Sequence, residues 1–159
     1  MKRYFESFFN HDPMNELSEA AAREAGTYVV EDDPAMRRYR RVIDDQLDSI
    51  AYKGWNDPTV PLIDLGRLGE PVDAEIHSMV KELPDSAYSW RIWYVDPQRR
   101  ITKILEPEYS ADGRIRRESL HSPDGKLVHY TIYHYDRDGY LLELVTHAPD
   151  GTIIGRQDA

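Results

Sequence analysis

Asp112-Gly113-Arg114-Ile115 is echoed by Asp124-Gly125-Lys126-Leu127, Asp138-Gly139-Tyr140-Leu141 and Asp150-Gly151-Thr152-Ile153, so an Asp-Gly pair returns every twelve to fourteen residues. An apolar residue stands two places after each glycine. Asp-Gly suits the tight reversals that join antiparallel strands, because glycine reaches positive φ without penalty and aspartate tolerates it. The interval leaves room for one strand between turns, and the segment reads as a ladder of hairpins.

With loops at residues 122–125, 136–139 and 148–151, simple antiparallel pairing predicts Tyr130 opposite both Arg117 and Val145, with Ile154 beyond. The next row on that face is Ile115, Ile132, Glu143 and Arg156, which makes Glu143 and Arg156 a cross-strand ion pair. The other face carries Thr131 with Leu144 and Tyr133 with Leu142. Apolar and aromatic residues fall on both faces, so one face is expected against helices and the other partly exposed.

Upstream, Tyr88, Trp90, Ile92 and Tyr94 alternate as in a strand, and Asp96-Pro97 supplies a turn. Val72, Ile76, Val80 and Leu83 fall at helical spacing between Pro71 and Pro84, which predicts a helix over 71–83. Pro58, Pro61, Gly66 and Gly69 make residues 56–70 read as a long loop. Asp33, Asp45 and Asp57 stand twelve apart, like a worn copy of the ladder, and residues 36–43 should pair with 47–52 across Asp44-Asp45-Gln46, with a helix over 36–43 as the alternative that its arginines allow. Asp12 as N-cap, Pro13 at the first helical position and Gly26 as the left-handed stop predict a helix over about 13–25, with Met14, Leu17, Ala21 and Ala25 as its apolar stripe. Tyr4, Phe5, Phe8 and Phe9 suggest a core plug or a short first strand.

The fold class that emerges is α+β: a curved antiparallel β-meander of Asp-Gly hairpins with two helices, at about 13–25 and 71–83, packed on it. One domain over 1–159 is expected, with the first helix and degenerate hairpins in 1–57, the loop and second helix in 58–84, and the ladder in 85–157.

Cysteine is absent, which removes disulfides, thiolate metal sites and cysteine nucleophiles together. Twenty Lys and Arg stand against 29 Asp and Glu, a formal charge of −9. That field repels phosphate backbones and favours basic partners, so nucleic acid is not expected as a partner despite the basic strip Arg37-Arg38-Tyr39-Arg40-Arg41. No apolar run reaches bilayer length, and the start Met1-Lys2-Arg3-Tyr4-Phe5-Glu6 has no cleavable export pattern. The expected location is cytoplasmic, without membrane insertion, as a monomer or weak oligomer.

Chemistry is harder to assemble. Asp136, Asp138 and Gly139 imitate part of a calcium loop, but Val145 falls where the bidentate glutamate belongs. The six histidines, His11, His77, His121, His129, His134 and His147, lack zinc spacing, and in the register above none faces another. No serine elbow, phosphate-binding loop or dinucleotide fingerprint occurs. No catalytic residue, metal or cofactor is therefore expected. Acidic and aromatic residues do gather at Asp44, Asp45, Asp48, Trp55 and Asp57, where carboxylates would steer a cationic partner and the indole would anchor it.

The phrases Tyr133-His134-Tyr135-Asp136-Arg137-Asp138-Gly139-Tyr140-Leu141 and Tyr109-Ser110-Ala111-Asp112-Gly113-Arg114-Ile115 resemble the tyrosine, aspartate, glycine and apolar rhythm of YD repeats in Rhs-type proteins and of MORN-like repeat antitoxins. The resemblance covers roughly residues 88–156. The chain departs from long YD arrays in having few units, an interposed helix and loop, and too little length for a toxin-enclosing shell. The resemblance implies a small repeat sheet of the kind found among bacterial immunity and antitoxin proteins, with no catalytic residues to carry over. The expected function is non-enzymatic binding of a basic toxin domain by occlusion of its active site. The alternatives are a structural or accessory repeat protein of a secretion or envelope assembly, and an enzyme of unrecognised class.

Overall fold

The computed structural model describes residues 1–6 and 16–159, which form two compact units, Met1–Ser78 with Tyr94–Arg100, and Met79–Trp93 with Ile101–Ala159. Together the described residues make fourteen strands, largely antiparallel, and two α-helices.

The first unit opens with β1 (Arg3–Phe5) and β2 (Glu16–Leu17), then α1 (Glu19–Ala25), β3 (Thr27–Asp33), β4 (Arg38–Ile43), β5 (Gln46–Tyr52), α2 (Thr59–Leu68) and β6 (Asp73–His77). Its strands lie in the order β6-β5-β4-β3-β1-β2. The predicted β4–β5 hairpin forms, with Ile43 opposite Gln46 and a two-residue turn at Asp44 (φ 48) and Asp45 (φ 61). The pair β5–β6 is parallel, which requires a long crossover, and that crossover contains α2.

Asp12, Pro13, Met14, Phe8 and Phe9 lie outside the described residues. Within them, α1 starts after Ser18, whose hydroxyl accepts the Ala21 N–H at 3.1 Å. Glu16 and Leu17 are not helical: they pair with Phe5 and Tyr4 as strand. The later start rotates the buried stripe, so that Ala22 is enclosed by Tyr4, Tyr28 and Val30 while Ala21 and Ala25 are exposed. Gly26 ends the helix at φ 74, as predicted.

The second helix is not at 71–83. That stretch holds β6 and the exposed β7 (Lys81–Glu82), and a 3-10 turn, Pro84–Ser86, follows it. Ala74 and Ile76 are buried two residues apart, so strand periodicity on the flank of β5 prevails, and Val80 is 62% exposed. The helix falls instead in the stretch read as a loop. Pro58 is its N-cap and Pro61 lies in the first turn, where a backbone N–H has no intrahelical acceptor to lose. Two prolines thus mark a helix start where they suggest a break. Asp57 accepts the Thr59 N–H at 2.8 Å, and Gly69 closes the helix at φ 67.

The second unit holds β7, β8 (Tyr88–Ser89), the start of β9 (Ile92–Val95), β10 (Ile101–Tyr109), β11 (Ile115–His121), β12 (Leu127–Tyr135), β13 (Leu141–His147) and β14 (Ile153–Asp158). The order β7-β8-β10-β11-β12-β13-β14 is antiparallel throughout. All four Asp-Gly turns are built alike. Gly113, Gly125, Gly139 and Gly151 sit at φ 84 to 89, and each donates its N–H to the carbonyl three residues back. This is a type I turn closed by a left-handed glycine, a three-residue hairpin loop.

A β-bulge then follows three residues after each glycine, at Arg116, Val128, Leu142 and Ile154. The three-residue loop and the bulge each move the pairing by one. Tyr130 therefore faces Ser119 and His147 in place of Arg117 and Val145, and Thr131 faces Thr146 with hydroxyls 3.1 Å apart. Because the shift is even, side chains keep their predicted face. Glu143 and Arg156 still meet at 3.1 Å, now diagonally, since the Cα partner of Arg156 is Val145.

No α-helix belongs to this unit among the described residues, contrary to the expectation of helices against one face. Side chains on both faces of β11 to β13 are mostly half-buried, and cross-strand pairs do the packing.

Candidate binding surface

The five predicted partner-binding residues do not form one surface. Asp44 and Asp45 are exposed in the β4–β5 turn, where positive φ at both positions favours aspartate for conformational reasons. Asp45 also lies 3.8 Å from Arg23. Asp48 occupies the bulge of β5, 3.9 Å from Arg41, and accepts a hydrogen bond from Ser49. Trp55 and Asp57 follow the other end of β5, a strand length away, roughly 20 Å. The Trp55 indole donates to the Met36 carbonyl at 2.8 Å, and its backbone N–H donates to the His77 carbonyl. Asp57 caps α2, and the bond from Thr59 holds its carboxyl below the usual range. Asp44 and Asp45 form one exposed acidic tip, Asp48 adjoins it along β5, and Trp55 with Asp57 form a separate group.

The basic strip is divided as well. Arg38 and Arg40 lie on the face of β4 that carries α2, and Arg38 is the centre of a charge network absent from the sequence reading. Its guanidinium donates to Asp32 at 3.0 and 3.1 Å and to Asp64 of α2 at 2.7 Å. Arg40 bridges Asp32 and Glu70, and the buried Tyr52 hydroxyl donates to Asp64 at 2.7 Å. Burial works against the charge on Arg38, but the bonds to Asp32 and Asp64 outweigh it and raise its pKa. Burial likewise pushes the Asp64 carboxyl up, yet Tyr52 and Arg38 win and lower it. Every member is matched by an opposite charge or a hydrogen bond, so the network holds α2 to the sheet. A hint lay in the alternation of Arg38 and Arg40 with Tyr39, but the acceptors Asp64 and Glu70 are 26 and 30 residues away.

A second polar group lies on the opposite face, where His77 is 3% exposed and meets Glu75 at 2.8 Å. Burial lowers the His77 pKa, with the Glu75 contact opposing. Burial also brings the Lys53 amine down to about 8, against a raising pull from Glu75.

In the second unit, Arg117 lies over the Tyr130 ring at 4.1 Å, and Tyr130 stacks on His147 with centroids 4.9 Å apart. The other face carries a near-parallel aromatic group, in which Trp90 and Tyr109 are 5.3 Å apart at 4° and Tyr88 lies 5.5 Å from Tyr109. Among the described residues, no three His, Asp or Glu side chains are placed to share a metal ion. No helix among them is long and apolar enough to cross a membrane. Comparison with known protein families, with curated proteins and with solved structures finds no match to this chain.

Proposed function

We propose that this chain is a non-enzymatic protein-binding module of the immunity or antitoxin kind, which neutralises a toxin domain by covering a basic active-site cleft. The observation that carries the reading is the ladder, a sheet that no α-helix of its own unit covers. Most of its aromatic rings, Trp90, Tyr109, Tyr130 and Tyr133 among them, are half-buried. Aromatic side chains held rigid at a surface make strong anchors, because they bury much area at small entropic cost.

Charge supports the same reading. The formal charge is −9, and Glu24, Asp44, Asp73, Glu82 and Asp138 are exposed without an ion pair among the described residues. Such a field speeds encounter with a cationic partner, and in the first unit the acidic tip at Asp44 and Asp45 is exposed to it. The test is co-expression with a basic toxin domain encoded beside the gene. Growth should be rescued, and the two chains should co-elute on a sizing column. Neither rescue nor a complex, or turnover intrinsic to the purified chain, refutes the reading.

A further inference from the structure

Four glutamates project from the faces of the ladder, and three of them are spent on arginines of the same unit: Glu106 on Arg91, Glu108 on Arg116 and Glu143 on Arg156. Glu118, in the middle of β11, makes no ion pair among the described residues, although it is only half-exposed. Nothing in the backbone requires a carboxylate there, since position 118 is neither turn nor bulge.

Its surroundings are aromatic. Glu118 pairs with Pro107 on one side and Thr131 on the other. Tyr109 and Tyr133 stand two residues further along those flanking strands and so share its face. Tyr109 is in turn stacked with Tyr88 and Trp90. Burial raises the pKa of both Tyr109 and Tyr133, and the Glu118 charge adds to it, so all three groups feel one another. A lone carboxylate beside π faces attracts a cation twice over, through the ion pair and through the ring quadrupoles.

Resting on the binding role proposed above, we infer that Glu118 with Trp90, Tyr109 and Tyr133 forms the anchor site for a single cationic side chain, arginine or lysine, of a basic protein partner. Arg91, Arg116 and Arg156 are already committed to Glu106, Glu108 and Glu143, and Arg117 lies over Tyr130 on the opposite face, so Glu118 is left to a cation from outside.

N-acetyl-arginine amide and its neutral isostere N-acetyl-citrulline amide are suitable probes, titrated at constant ionic strength while the Trp90 indole N–H resonance is followed by NMR. The cationic amide should give a saturable shift and bind at least about fivefold more tightly than the neutral one. Glu118→Gln should remove that preference while leaving the spectrum dispersed. Tyr133→Leu, which keeps the carboxylate and deletes a ring, should weaken binding as well. Equal binding of the two amides, or unchanged affinity in both variants, overturns the site. A Glu118→Gln chain that holds the toxin at wild-type affinity also overturns the anchor but leaves the neutralising role intact. A wild-type chain that titrates with the amide yet never holds the toxin sinks the role and leaves the anchor.

Discussion

Replacing Arg38 by methionine should unfold the first unit more readily than any exposed change. The guanidinium is 10% exposed and sits between Asp32 at 11% and Asp64 at 18%, joined by three charged hydrogen bonds. At about 1.5–3 kcal/mol each, these represent roughly 5–9 kcal/mol gross. Methionine restores apolar burial and removes the cost of desolvating the cation. Arg40 still pairs with Asp32, and Tyr52 still donates to Asp64, so neither carboxylate is wholly abandoned. The net loss should be about 3–5 kcal/mol, the range for breaking a buried pair from one side. In thermal unfolding that is a fall on the order of 10 °C. Urea unfolding followed at the Trp55 indole N–H resonance by NMR measures it in the right unit. Adding Asp64→Asn to the variant should recover part of the loss, because that carboxylate keeps the Tyr52 hydroxyl but has lost its ion pair. Acid supplies a second readout. The folded Asp64 pKa is lowered, so its contribution is complete above the unfolded value, about 3.9, and is lost as pH falls through the folded one. Arg38→Met should flatten that slope. A loss below about 1 kcal/mol, or a double variant no better than the single, refutes the reasoning.

Lys53→Met isolates the opposite case. The folded pKa of about 8 lies below the ordinary 10.5, so in the wild type stability should climb as pH rises from about 8 towards 10.5, by at most about 3 kcal/mol. The variant should lose this rise in a pH series of urea midpoints; an identical climb contradicts the assignment. Gly113→Ala should cost about 1 kcal/mol from φ 84 alone, since a Cβ there has open space. Gly139→Ala should cost more by thermal melting, because the same methyl runs into the Arg114 guanidinium, which lies over the Tyr135 ring. Equal losses would show that Arg114 moves aside freely. If the acidic tip steers a toxin, Asp44→Asn, Asp45→Asn and Asp48→Asn together should slow association severalfold at low salt and flatten its salt dependence. Asparagine is the right replacement because it keeps positive φ accessible at 44 and 45. An unchanged stopped-flow on-rate removes the tip from the binding surface.

What could be read from the chain was local. Asp-Gly chemistry places four hairpins and their sheet faces, Gly26 stops a helix, and Asp44-Asp45 turns the β4–β5 pair, because each depends on which φ a residue tolerates within a few bonds. The exact partners escaped by two positions, since a bulge three residues past each glycine is a property of paired strands and has no residue type of its own: Arg116, Val128, Leu142 and Ile154 share none.

The second helix went astray for a related reason. Val72, Ile76, Val80 and Leu83 fit a helical stripe, but the parallel edge of β5 at Ser49 to Tyr52 takes residues 73–76 as strand, and propensity yields to that pairing. Its crossover then makes a helix of the proline-rich stretch. Only the tertiary structure brings Asp64 and Glu70 to Arg38 and Arg40, gives three ladder glutamates their arginines and leaves Glu118 without one. Turn chemistry acts through a residue's own dihedral angles, whereas burial and charge pairing depend on neighbours that distant segments supply.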